Sequence, residues 1–346
     1  MKIAALAFIL YCVLVAGQDF GYGGQHGPSH WAKDYKRCSG KFQSPIDIDV
    51  LSVEVKEFPD IEYTNIDVTP NRVHMANNGH TVLVTMNFEK GREPRIKGGP
   101  LARNSSYKFE QFHFHWGAND TVGSEDLVND RAFPAELHVV IRSLDYEDFK
   151  SALGQDHGLA VLAFFFKLSS DDNGDYAEFV EKLSTISRKG MSADLEAPLP
   201  LSSFISMNLI NFYSYNGSLT TPPCAEKVIW IDYQEPIYIS EQQVTSNLVL
   251  SQLNTYLFPL QLNKFRDLTA HDDHLKNNYR PPQPINDRII YENAPPIPSY
   301  AKVGYSAIPF VDVANAAYAN LCLGGKGQVF LLVTFIINSL HPCSLY

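Results

Sequence analysis

Tyr107-Lys108-Phe109-Glu110-Gln111-Phe112-His113-Phe114-His115-Trp116 alternates residue by residue, the side-chain period of a β-strand. As a strand it sets Phe109, Gln111, His113 and His115 on one face and Phe112, Phe114 and Trp116 on the other. A second run, Ala135-Glu136-Leu137-His138-Val139-Val140-Ile141, sets Glu136, His138 and Val140 on one face and Leu137, Val139 and Ile141 on the other. Between the runs lie turn formers, Gly117, Asn119, Asp120, Gly123, Asn129 and Pro134. The two strands can therefore pair and bring His138 against His113 and His115.

Outward from this pair, the chain is a succession of short β-type runs broken by Gly, Pro, Asn and Asp, with no internal repeat and no long linker. The expected fold is one sheet-dominated domain over 18–293, mainly β with a few peripheral helices. Phe179, Leu183 and Ile186 mark a helix over 176–188, and Ser240 with Gln243 forms a capping box for a second. At 346 residues, 45% hydrophobic and 19% charged, the chain can bury a full core. Its formal charge of -10, from 28 basic and 38 acidic residues, argues against a nucleic-acid partner, whose phosphates need clustered Lys and Arg.

The two ends differ from the body. Residues 1–17 carry Lys2, an apolar run and then Ala16-Gly17, the pattern of a cleaved secretory signal. The run is too short for the other reading, a membrane anchor. After Tyr291 the composition turns to Ala and Pro, in Asn293-Ala294-Pro295-Pro296-Ile297-Pro298, as in a stalk over 294–315. A second apolar run, 329–340, follows the small residues Asn315-Ala316-Ala317 and a glycine-bearing spacer. That is the order of a glycosylphosphatidylinositol (GPI) attachment signal, with Asn315 as the anchored residue and 316–346 removed. The alternative is a strand packed on the core. Cys12, Cys322 and Cys343 leave with the ends, so Cys38 and Cys224 remain for one disulfide in an oxidising compartment. Secretion makes Asn104, Asn119 and Asn216 candidate glycan acceptors. The expected location is extracellular, at the cell surface, with the membrane touched only through the anchor.

Three neutral imidazoles with a fourth position left for water are the donor set of a catalytic zinc site. Gln111 and Glu136 each lie two residues before a ligand histidine on its own face, where they can fix the ring's tautomer. A lone histidine here would read as a core residue; the His-x-His plus Glu-x-His set reads as a site. Cupin-type iron or manganese proteins also use His-x-His, but with a Glu ligand about four residues on, and the next acid after Asp120 here is Glu125. A copper site would want more His, or Cys with Met.

Gln111-Phe112-His113-Phe114-His115-Trp116-Gly117, Gly123-Ser124-Glu125, Ala135-Glu136-Leu137-His138 and Gly217-Ser218-Leu219-Thr220-Thr221-Pro222-Pro223 together resemble the α-carbonic anhydrases, in that family's order. Gly21-Tyr22-Gly23, Gln43-Ser44-Pro45-Ile46-Asp47-Ile48, Asn77-Asn78-Gly79-His80, Lys97-Gly98-Gly99-Pro100-Leu101 and Asn278-Tyr279-Arg280-Pro281-Pro282-Gln283-Pro284 agree. The resemblance implies a single domain around a large, twisted, mostly antiparallel sheet, with zinc at the foot of a cleft and CO2 and bicarbonate as substrates. It implies that His113, His115 and His138 are the zinc ligands. Thr220 resembles the family's gatekeeper, its hydroxyl donating to Glu125 and its amide contacting a substrate oxygen, with Thr221 beside it. Val140, Val161, Leu219, Val228 and Trp230 would form the apolar CO2 wall. His80 matches the family's proton shuttle, with Tyr22 and Asn78 ordering water between it and the metal. Asn216 lies just before this segment, so its sequon is expected to be buried.

Two departures stand out. Phe20 replaces a Trp that often precedes Gly-Tyr-Gly, and Leu83 occupies a wall position that is often polar in fast members. Cys38 and Cys224 match the disulfide of the family's extracellular members, and the C-terminal signal matches its lipid-anchored branch. The competing reading is a catalytically silent, carbonic-anhydrase-related binding module; esterase activity is a third. A monomer is the default.

Overall fold

The computed structural model describes residues 20–206, 209–240, 261–270 and 273–293. The expected signal over 1–17, the residues from Gln243 on of the helix expected after Ser240, the stalk, and the anchor signal with Asn315 lie outside the described residues; Ser240 itself ends a strand and its hydroxyl donates to Asp172. Among the described residues, sixteen strands run in chain order. The first eight are β1 (Asp47–Ile48), β2 (Glu54–Lys56), β3 (Glu62–Thr64), β4 (Arg72–Asn77), β5 (Val82–Asn87), β6 (Arg95–Lys97), β7 (Tyr107–Trp116) and β8 (Leu127–Val128). Then come β9 (Ala135–Ser143), β10 (Leu159–Ser169), β11 (Ser192–Asp194), β12 (Phe212–Ser218), β13 (Glu226–Ser240), β14 (Thr269–Ala270), β15 (Asp273–His274) and β16 (Tyr291–Asn293). The four α-helices among the described residues are short: α1 (Trp31–Asp34), α2 (Phe149–Ala152), α3 (Ala177–Leu183) and α4 (Gln261–Arg266).

Twelve strands form one sheet in the order β11-β4-β5-β7-β9-β10-β13-β12-β16-β2, with β6 on β7 and β3 on β6. Most neighbours are antiparallel; β10 with β13 and β16 with β2 are parallel. The fold is mainly β around a large mixed sheet, as the sequence implies. The expected helix over 176–188 is broken into a 3-10 turn, α3 and a second 3-10 turn over Ser184–Ile186, yet Phe179, Leu183 and Ile186 are all buried.

Register makes the site. His113 pairs with His138, and His115 with Glu136. Side chains in register on one face form rows across the sheet. One row is Leu83, His113, His138, Ala163 and Asp232; the next is Gln111, Val140, Val161, Trp230 and Tyr215. The opposite face of β7 and β9 carries Phe112, Phe114, Trp116, Leu137, Val139 and Ile141 into the main apolar core.

Two expectations fail here. Phe109 does not share the face of Gln111 and His113, because the β7–β9 register shifts between Phe109 and Gln111, and Phe109 turns into the main core. The extra residue is Glu110, whose carboxylate accepts from Arg142 Nε at 2.7 Å; a bulge puts two residues opposite one and flips the alternation beyond it. Asn216 is exposed, not buried. It alternates with buried Tyr215 and Gly217 on β12 and pairs only with Ile229, since β16 covers β12 only at Tyr213 and Ser214. Asn104 and Asn119 are exposed.

Candidate metal centre and cleft

Each of the three histidines has one ring nitrogen held by a hydrogen-bond partner. His113 Nδ1 meets Gln111 Oε1 at 2.9 Å, His115 Nδ1 meets the Asn278 carbonyl at 2.7 Å, and His138 Nε2 meets Glu136 Oε1 at 2.8 Å. That fixes the tautomers and leaves His113 Nε2, His115 Nε2 and His138 Nδ1 as lone-pair donors. One ligand nitrogen from each ring lies within 4.8 Å of the others. Burial, with mutual repulsion for His113 and His115, holds all three rings in the neutral form. His138 is pushed down to about 3 by burial alone.

The supports are themselves supported. Glu136 Oε2 accepts from the backbone amides of Glu125 at 2.7 Å and Asp126 at 3.0 Å. Burial lifts the Glu136 carboxyl to about 8, against the pull of those two amides. Glu125 Oε1 accepts from the Arg280 amide at 2.7 Å. Burial raises the Glu125 carboxyl well above the usual carboxylate range, while the Thr220 hydroxyl and the Arg280 amide favour its charged form.

His115 Nε2 and Glu125 Oε2 are buried, lie 3.3 Å apart, and have no hydrogen-bond partner among the described residues. Such groups are expensive to leave unmade. Three converging imidazole lone pairs, all neutral and all backed by an acceptor, fit a divalent zinc with one position open. Thiolates are absent from the set, since Cys38 and Cys224 are joined in a disulfide, Cα to Cα 4.9 Å, packed against Phe20 and Trp31.

Above the histidines opens a cleft of about 400 Å³. Val140, Val161, Leu219 and Trp230 line it, as do Thr220, Thr221, Leu83, Asn78, Tyr22 and His80. Val140, Val161 and Trp230 are register partners in one row, which is why a wall can form from three strands. Val228 is not part of the lining. It sits in the next row with Leu159, one pleat further from His138, and is buried in the same apolar cluster as Val140, Val161 and Trp230. The ring of His80 stacks on Phe20, centroids 3.9 Å apart and planes at 10°. Asn78 Oδ1 accepts from the His80 and Thr81 amides at 2.8 and 2.9 Å, fixing that turn. Burial and the charge of Glu125 raise the Tyr22 phenol well above its ordinary value.

Residues 26–294 match the family model for eukaryotic-type carbonic anhydrases. The chain belongs to that family. Human carbonic anhydrase 7 is 35% identical over 278 residues, covering 78% of this chain and 96% of that protein. Human carbonic anhydrase 3 is 32% identical over 276 residues, and its rat counterpart 31% over 279; each alignment covers 79% of this chain and 97% of the relative.

Several carbonic anhydrase site residues carry no signal in a strand pattern. Asn278 holds His115 through its carbonyl, while its side chain accepts from the Trp116 amide at 2.6 Å and donates to the His80 and Phe114 carbonyls at 3.0 and 2.9 Å. Arg280 donates to Gln43 Oε1 and to the carbonyls of Ser44 and Cys38 at 2.8–2.9 Å, tying the disulfide segment to the loop that backs Glu125. Phe149, Lys150 and Leu153 from α2 and its end also line the cleft. Only the Asn-x-Arg of the resembling segment hinted at the first two. For the lysine, the capping residue Asp148 was the available clue: its side chain accepts from the Ser151 amide at 2.7 Å and so sets the helix.

Proposed function

We propose that this chain is a zinc-dependent carbonic anhydrase that interconverts CO2 and water with bicarbonate and a proton. The observation that carries the proposal is the convergence of three neutral imidazole lone pairs, each ring fixed from behind, at the foot of an apolar cleft. Zinc bound there supplies a water activated for attack near neutral pH.

The chain's own residues do the remainder. Glu125, held by the Arg280 amide, faces the Thr220 hydroxyl and sets its direction. A directed Thr220 hydroxyl then orients the attacking oxygen, and the Thr220 amide is a donor for a substrate oxygen, with Thr221 alongside. CO2 has neither charge nor dipole, so Val140, Val161, Leu219 and Trp230 hold it by contact and keep competing water out. His80 lies on the cleft wall and carries a proton between the cleft and buffer, a task suited to imidazole, along a path lined by Tyr22 and Asn78.

The proposal extends to the cell surface. The signal-like residues 1–17, the GPI-type order around Asn315, the Cys38–Cys224 disulfide and the exposed sequons at Asn104 and Asn119 support it. Release of the activity from membranes by a phosphatidylinositol-specific phospholipase is expected; activity that stays membrane-bound removes the anchor.

Stopped-flow CO2 hydration with a pH indicator, on zinc-loaded protein secreted from eukaryotic cells, tests the central reading. Fast hydration, abolished by a sulfonamide or by His113→Ala, is expected. No hydration from folded, zinc-loaded protein would replace the enzyme by the binding module. His80→Ala is expected to slow turnover, with rescue by added imidazole.

A further inference from the structure

A second hollow, about 740 Å³, adjoins the cleft through Leu153, which lines both. Asn216 is on its wall with Phe42, Gln155 and His157. Its fixed charges balance: Arg37 and Lys227 against Asp156 and Glu226, with Lys227 and Asp156 paired at 3.0 Å. A lining of this kind suits neither an anion nor a cation. An aromatic ring 39% exposed, at Phe42, beside amide and imidazole hydrogen-bonding groups suits a neutral, polyhydroxylated occupant.

Such an occupant has an attachment point on the wall itself. Asn216-Gly217-Ser218 is an acceptor sequon, and the Asn216 side chain is exposed. We infer that Asn216 carries an N-linked glycan whose first sugars lie in this hollow against Phe42. The inference rests on the proposed secretion. Asn216 Nδ2 forms a bond to the anomeric carbon of a lipid-diphosphate-linked oligosaccharide. The bond from that carbon to the diphosphate oxygen breaks, and the lipid diphosphate leaves with the electron pair and takes up the proton lost by the amide.

The fold dictates when this happens. Ser218, which completes the sequon, is fully buried, its hydroxyl accepting from the Ser44 amide at 2.9 Å and donating to the Leu219 carbonyl at 2.8 Å. Its hydroxyl is accessible only before β12 docks on β13, so attachment precedes folding of this strand. The remainder of β12 tolerates the addition because Asn216 points away from the buried Tyr215 and Gly217.

Glycopeptide mass spectrometry of the full secreted chain reads all three sequons at once. A glycan on Asn216 in addition to Asn104 or Asn119 is the expected result. Occupied Asn104 or Asn119 with bare Asn216 overturns the inference and leaves secretion standing; three bare sites overturn both. Docking is read from release by peptide-N-glycosidase on folded protein. The Asn216 glycan should come off about tenfold more slowly than those at the other sites, and Phe42→Ser should remove the difference. Equal release rates at all occupied sites overturn the docking.

Discussion

The two faces of β7 bury similar fractions of their side chains and use burial in opposite ways. Phe112, Phe114 and Trp116 are 0–1% exposed and meet other apolar groups, Phe114 alone touching the rings of Phe112, Phe166, Tyr176, Phe179 and Phe265. That face is complete by packing, and its stabilisation grows with the area removed from water. Gln111, His113 and His115, two residues apart on the other face, carry polar groups: Gln111 Oε1 holds His113 Nδ1, and His115 Nε2 has no hydrogen-bond partner among the described residues. A core face is finished when it folds; a site face is finished only when its ligand arrives.

Substitutions on the two faces should therefore separate cleanly. On the site face, His138→Ala should cost more zinc affinity than the roughly 10- to 100-fold lost when only an outer partner is removed, while the fold persists; metal content after dialysis, beside an unchanged far-ultraviolet spectrum, checks it. On the core face, Phe114→Ala should lower stability by about 3–5 kcal/mol and leave the zinc affinity of the remaining folded protein near wild type, as urea unfolding and zinc titration would reveal. Loss of zinc binding by folded Phe114→Ala protein would break the contrast.

Asp232 sharpens it. It lies in the row of His138, is fully buried, and neither carboxylate oxygen has a hydrogen-bond partner among the described residues. Burial, then the charges of Asp126 and Glu136, raises its carboxyl well above the usual range. Here a buried polar group has no catalytic task, so Asp232→Val should stabilise the protein by about 1–3 kcal/mol. The folded carboxyl titrates above the unfolded one. Its cost is thus smallest below about pH 4, where both states are protonated, and grows as pH rises towards the folded value, so the gain from Asp232→Val should grow with pH. Thermal midpoints of both proteins at pH 4 and pH 7 provide the test, and a gain that shrinks with pH contradicts it.

The smallest effect is expected at the cleft mouth. Among the described residues lining the cleft, Lys150 is the one permanently charged side chain. Lys150→Glu should weaken inhibition by thiocyanate about two- to threefold at low ionic strength, and the difference should vanish in about 0.5 M salt, where exposed charges are screened.

What could be read from the sequence follows from how local each feature is. His113, His115 and Gln111 declare themselves through period-two spacing within one strand, and Glu136 with His138 through the next. The Glu110 bulge breaks no alternation visible in the sequence, so period two sets Phe109 on the wrong face; the bulge shows only in the pairing with β9, where Arg142 bonds Glu110. The partner of His115 is a backbone carbonyl 163 residues away, and carbonyls have no letter in a sequence. Val228 has the composition of a wall residue; only the register, one pleat too far, removes it. The neighbours of Asn216 point to the interior, whereas β12 alternates and ends its pairing with β16 two residues earlier.

X-ray absorption at the zinc edge of the metal-loaded protein tests the central claim most directly. Three imidazole nitrogens at roughly 2.0–2.1 Å and one oxygen from solvent, with the imidazole scattering reduced in His138→Ala, are predicted. A sulfur shell, or a zinc environment unchanged by that substitution, would contradict the assignment of the β7–β9 face as the metal centre.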